Sequence, residues 1–163
     1  FDIAQTDAKR QPQIHYDDRL LLSALISKRP VPIEMAENVP NGAAYDYDRR
    51  TVIVQRGMDG QDLFRCVSLA MARAELDQTE HADPQADAFR GYCVSYMLCR
   101  KYGVDARGYD FSRLPESLRD ADSQTIRSEL TDIRDTLQTM TGRMERALEQ
   151  SRAAAQKNVR KER

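Results

Sequence analysis

The chain has 163 residues, of which 40% are hydrophobic and 31% charged, and its 25 Lys and Arg against 26 Asp and Glu leave a net charge of -1. That length carries one domain with a real core plus an appendage, and the near-neutral balance excludes a global pull toward nucleic acid or anionic membrane. No run reaches the ~18 apolar residues of a membrane span, and no stretch reads as a signal peptide.

In chain order, residues 1–13 are polar and read as an extended lead-in, and an opening Phe1 in place of Met is what a fragment or processed chain shows. Leu20 to Ile26 is an apolar helix preceded by Asp17-Asp18 and stopped by Pro30 and Pro32. Val31 to Met35 alternates as a strand does, with proline tolerable at its edge. After an Asn38 to Gly42 turn, Ala43 to Asp48 and Thr51 to Gln55 form a hairpin, giving a small sheet of three strands. Asp59 or Gly60 opens the next helix, with Leu63, Val67, Ala70, Met71 and Ala74 as its apolar stripe. A loop from Gln78 to Pro84 carries His81 and Asp83. A further helix then runs from about Gln85 to Tyr102, with Phe89, Cys93, Tyr96, Met97 and Arg100 along one side and Gly103 as its left-handed cap. Val104 to Leu114 is irregular, and Pro115 to Leu118 is a helical turn.

The pattern changes at Ser123. Ile126, Leu130, Ile133, Leu137, Met140, Met144 and Ala147 recur at alternating steps of four and three, a heptad seam interrupted only by Gly142. Two readings stay open: a self-associating coiled coil that makes a homodimer, or a long helix laid back on its own domain. The divisions are thus a lead-in over 1–13, a domain over 14–118, an amphipathic helix over 122–157 and a basic tail over 158–163. From Arg143 to Arg163 seven Lys and Arg stand against three Glu, so this end is the part suited to weak, nonspecific phosphate contact.

Cys66, Cys93 and Cys99 are odd in number and lie in apolar segments, which points to reduced, core-filling thiols in a cytoplasmic protein. The sequence contains no phosphate-cradling glycine loop and no nucleophile-elbow motif. His15 stands alone before a helix, in a surface or capping place. Tyr92, Tyr96 and Tyr102 read as packing residues rather than as a base-stacking platform.

Several stretches together resemble the metallopeptidase domain of ArdC-type antirestriction proteins and related domains of bacterial mobile elements. Phe1-Asp-Ile-Ala-Gln-Thr6 is similar to the segment that, in such proteins, follows a single-stranded-DNA-binding domain. Tyr45-Asp-Tyr-Asp with Thr51-Val-Ile-Val resembles the family hairpin, Arg65 to Leu76 its metal-binding helix, and Ala86 to Gly103 its second helix. The resemblance covers residues 1–115 or so and implies a minimal zincin-like fold: an α+β domain with a three-stranded sheet and packed helices, here followed by the heptad-patterned helix. It also implies a setting in defence evasion during transfer of mobile elements.

Zincin chemistry needs H-E-x-x-H on a helix, two imidazoles facing one way to hold zinc and a glutamate to take a proton from the bound water. In the register that fits best, those places hold Leu69, Ala70 and Arg73, and the acidic place on the second helix falls near Asp87. Leu and Ala offer no lone pair, and a fixed guanidinium repels Zn²⁺. The expectation is a catalytically inactive domain without metal or cofactor, which binds a protein partner through the old cleft around Arg73, Asp87 and His81. An ion pair between Arg73 and Asp87 would replace the metal link. The alternatives are a nucleic-acid-binding protein using the basic helix, and an active metallopeptidase with unusual ligands, for which His81, Asp83 and Asp87 are the nearest donors.

Overall fold

The structure, a computed structural model, describes residues 15–162. The lead-in expected over 1–13 lies outside the described residues, as does Arg163. The fold is α+β: α1 (Asp18–Ile26), β1 (Ile33–Ala36), β2 (Ala43–Asp46), β3 (Thr51–Gln55), α2 (Gly60–Asp77), α3 (Pro84–Tyr102), α4 (Glu116–Arg119) and α5 (Ser123–Lys161).

The three strands form a mixed sheet in the order β1-β3-β2. The β2–β3 hairpin is antiparallel, with Ala43 opposite Val54, and β1 lies parallel to β3 on its other side, with Ile33 opposite Val52. Val52 and Val54, two residues apart, point the same way and are buried in the core shared with the helices. Three helices start on aspartate caps. The carboxylates of Asp59, Asp83 and Asp122 accept from the amides of Asp62 (2.9 Å), Gln85 (3.1 Å) and Thr125 (2.7 Å). Each bond satisfies a first-turn amide that has no partner within its helix. Gly103 caps α3 with φ of 73°, as its sequence position implies.

The apolar stripe of α2 is shifted from the expected one. Val67, Ala70, Met71 and Ala74 are buried as the spacing requires, but Phe64 and Leu76 complete the face and Leu63 is only half-buried. For α3 the packed face is not the expected one. Phe89, Cys93, Tyr96, Met97 and Arg100 look outward to varying degrees, while Asp87, Arg90, Gly91, Val94, Ser95, Leu98, Cys99 and Tyr102 are buried. Asp87, Arg90, Gly91 and Ser95 interrupt the buried side, so apolarity alone marks the wrong one.

α5 continues to Lys161, through most of what the composition marks as a tail, with Arg160 and Lys161 in the last turn where cations favour the helix dipole. Ile133, Thr136, Met140, Met144 and Leu148 are buried against the domain, and Leu137 and Ala147 are half-buried. The steps between the five buried positions are three, four, four and four, closer to the 3.6 of a straight helix than to the 3.5 of a supercoil. The helix laid on its own domain is therefore the arrangement observed. Burying such a side chain contributes roughly 1.5–3 kcal/mol, and Ile133, Met140 and Met144 already gain it within the chain. Ile126 and Leu130 are the exposed part of the seam, at 42% and 59%. They sit where contact with the domain is made by charged residues instead. Past Arg152, whose guanidinium still reaches Tyr16, the helix leaves the domain, with residues 153–162 exposed, a projection of about 15 Å.

Candidate functional site

Leu69, Ala70 and Arg73 all lie on α2, but only two of them reach the surface. Ala70 is buried in the core at 2% exposure, whereas Leu69 and Arg73 are half-buried on the side where α2 meets α3. The helices come unusually close there. A Cβ added to Gly91 would stand 2.9 Å from Arg73 Cγ and 3.6 Å from the Leu69 carbonyl oxygen. Glycine is what lets the aliphatic stem of Arg73 lie flat across α3.

An open concavity of about 210 Å³ sits over Leu69, lined also by Asn41, Arg65, Cys66, Tyr92, Gly108 and Tyr109. Each wall has a local cause. Asn41 and Gly42 take positive φ (58° and 82°) in the turn before β2, and a Cβ on Gly42 would meet Met58 Sδ at 2.7 Å and Cys66 Sγ at 2.9 Å. That contact presses the turn onto α2. Cys66 is half-buried, and desolvation followed by the charge of Asp62 pushes its thiol up, so it lines the pocket as a neutral, apolar group. The charge of Arg65 is taken up by Asp62, and its Nη1 donates to the Asp105 carbonyl at 2.8 Å.

The Tyr109 wall is held by a buried hydroxyl chain. The Tyr109 hydroxyl lies 2.6 Å from Ser95 Oγ, Ser95 Oγ lies 2.6 Å from Ser68 Oγ, and Ser68 donates to the Arg65 carbonyl at 2.9 Å. The chain ends on the α2 backbone at the Arg65 carbonyl, which Ser95 Oγ also reaches at 3.3 Å. Burial raises the Tyr109 pKa well above the ordinary phenol value, so the hydroxyl stays protonated. The ring packs 5.0 Å from Tyr92 and 5.5 Å from Tyr96, and Phe111 closes the group on both. Tyr92 and Tyr96 are thus engaged in packing, and Tyr102 is buried, donating to Glu145 on α5 at 2.8 Å.

The residues expected around one cleft separate into two groups, and Arg73 and Asp87 do not pair. Arg73 Nε donates to the Tyr47 hydroxyl at 3.2 Å, and its guanidinium carbon lies 5.6 Å from the centre of that ring. Asp87 is fully buried and turns to its own helix. One oxygen accepts from Arg90 Nη1 at 3.1 Å, the other from the Asp83 amide at 3.3 Å. Arg90 is the nearer cation, one helical turn away on the same face.

Arg90 is in fact the hub of the second group. It grips Glu129 of α5 with two nitrogens, and its Nη2 lies 3.6 Å from Asp132. His81 belongs here and not beside Arg73: its carbonyl accepts from Arg90 at 3.4 Å and its Nδ1 is 3.8 Å from Asp132, with the ring 71% exposed. Three carboxylates around one guanidinium join α3 to the start of α5. A second tie lies further along, where Arg143 Nη1 meets Glu75 of α2 at 2.8 Å. That contact is a charge contact without aligned hydrogen-bond geometry, and Arg143 Nε and Nη2 have no acceptor among the described residues.

No three His, Cys, Asp or Glu side chains among the described residues converge as a metal-binding group, so His81, Asp83 and Asp87 do not form the donor set that their sequence proximity raises. His15 is exposed and gives α1 no cap bond. No helix among the described residues is long and apolar enough to cross a membrane. Sequence reasoning missed Ser68, Ser95, Tyr109, Arg90 and Glu129. One signal was present: Gly91, Ser95 and Cys99 recur every four residues, a stripe of small side chains where a second helix can approach closely.

No family model matches the chain, and no curated protein and no solved structure matches it.

Proposed function

We propose that the chain is a catalytically inactive, metallopeptidase-like domain of the mobile-element, antirestriction type, working in the cytoplasm as a protein-binding or scaffolding module. One observation carries this reading. Where zincin chemistry requires two imidazoles and a carboxylate, α2 presents Leu69, Ala70 and Arg73, and Leu69 with Tyr92 and Tyr109 forms an apolar concavity. A surface of that kind recognises a side chain; it does not polarise a carbonyl or activate water. Its volume, about 210 Å³, is below the ~300–1,000 Å³ usual for small-molecule sites, which favours one inserted side chain over a free ligand.

The test is metal analysis of purified protein alongside a peptidase assay with and without chelator. The expected result is far below one equivalent of zinc per chain and no chelator-sensitive cleavage. Stoichiometric zinc, or proteolysis abolished by chelation, rejects the reading.

A second reading, nonspecific phosphate contact, is favoured by the projecting end of α5, where Lys157, Arg160 and Lys161 are exposed. Arg152 on the same stretch is already occupied by the Tyr16 hydroxyl at 3.1 Å. This reading requires an affinity that falls steeply with salt and disappears on removal of residues 149–163.

A further inference from the structure

The apolar concavity has a charged neighbour that the packing leaves unneutralised. Arg73 follows Leu69 by four residues on α2, one helical turn and about 6 Å along the axis. Four apart on one helix, the two residues share a face of α2, and the stem of Arg73 crosses Gly91 of α3 beside that face. Arg65, the other guanidinium at the pocket, is already matched by Asp62 and the Asp105 carbonyl. Arg73 has only the Tyr47 hydroxyl and ring, and no carboxylate pairs with it among the described residues. A half-buried guanidinium held against an aromatic face is pre-oriented and partly desolvated, which strengthens its pairing with an incoming carboxylate.

We propose that this surface binds an extended segment of a partner protein that places an apolar side chain in the Leu69–Tyr92–Tyr109 pocket and, two residues away, an Asp or Glu on Arg73. The spacing follows from strand geometry. In an extended chain, residues i and i+2 point the same way and stand roughly 6.6 Å apart, close to the backbone rise from Leu69 to Arg73. Acidic and apolar are therefore required together, in an apolar-x-acidic order or its reverse.

The inference rests on the binding-module reading above, and the test separates the two. A displayed library of random peptides is selected on the purified protein, and an enriched peptide is measured by fluorescence anisotropy against wild type, Leu69→Lys, Arg73→Ala and Arg73→Glu. Each variant is first checked for native circular dichroism and a cooperative melt. The expected peptides carry an apolar residue and an acidic one two positions apart. Leu69→Lys abolishes binding, Arg73→Ala weakens it about tenfold, the loss of one partly desolvated charge pair, and Arg73→Glu binds better when the peptide's acid is changed to Lys. Binding that Leu69→Lys blocks but Arg73→Glu leaves unchanged overturns the acidic requirement and keeps the pocket. Binding indifferent to both variants overturns the pocket as well. Failure to enrich any peptide, or self-association in light scattering that Leu69→Lys abolishes, also overturns the proposal, the latter by making a second copy the occupant.

Discussion

Replacing Arg90 by Met removes the guanidinium and keeps a side chain of similar length, which leaves Asp87, fully buried, without its cation. Breaking a buried pair from one side costs about 3–5 kcal/mol, mostly because a charge is left uncompensated. Glu129 and Asp132 are 16% and 18% exposed and can turn to water, so only Asp87 is truly stranded and the lower end, about 3 kcal/mol, applies. For a chain of this size that lowers the melting temperature by roughly 6–12 °C. Adding Asp87→Asn should recover much of the loss, because the stranded charge is gone; the double variant then sits well above the sum of the two single effects. Burial already holds the Asp87 carboxyl above its ordinary value of 3.8, against the lowering influence of Arg90. Between that value and the raised one, the folded state keeps a proton that the unfolded chain has released, so this contribution to stability falls as pH rises. Without Arg90 the window widens upward, and the variant's deficit must be largest near pH 7 and shrink toward about pH 4. Chemical denaturation at several pH values reads both quantities. A deficit below about 1 kcal/mol at neutral pH, or one that does not change with pH, refutes the argument.

The remaining expectations concern α5 and the pocket wall. Met140→Ala should cost about 2–5 kcal/mol in denaturation because it opens a cavity at a position 1% exposed, whereas Leu130→Ala, 59% exposed, should change stability by less than about 0.5 kcal/mol. Equal costs, or a concentration-dependent melt abolished by Leu130→Ala, would make the seam intermolecular. Ser95→Ala leaves the Tyr109 hydroxyl without its Ser95 partner and should cost about 1–3 kcal/mol, while Ser95→Ala combined with Tyr109→Phe should be milder than the two single losses added together. Additive losses would mean that the hydroxyl chain is not a unit. Gly91→Val should be more disruptive than Gly142→Val, since a Cβ at Gly91 meets Arg73 Cγ at 2.9 Å and one at Gly142 meets only the tip of Arg146 at 3.6 Å. A comparison of the two melts decides it.

Element types and order were legible in the sequence because they rest on local physics: alternation in Val31 to Met35, aspartates and prolines at helix starts, glycine at position 103, and a change of period at Ser123. So was the apolar or cationic character of Leu69, Ala70 and Arg73. Which way α3 faces was not legible, since its buried side carries Asp87, Arg90 and Ser95, and a polar residue reads as exposed until its partner is known. Those partners lie far along the chain: Glu129 for Arg90, Ser68 for Ser95, Tyr47 for Arg73. The same holds for α5, whose seven seam positions suit a second helix as well as they suit the domain. The sequence alone determined that this helix has an apolar stripe to bury and that α2 lacks zinc donors at the motif positions. Only the tertiary structure decided that the stripe from Ile133 onward is buried at home and that Arg73 is left with an aromatic ring, because pairing across tens of residues depends on where the chain brings its ends together.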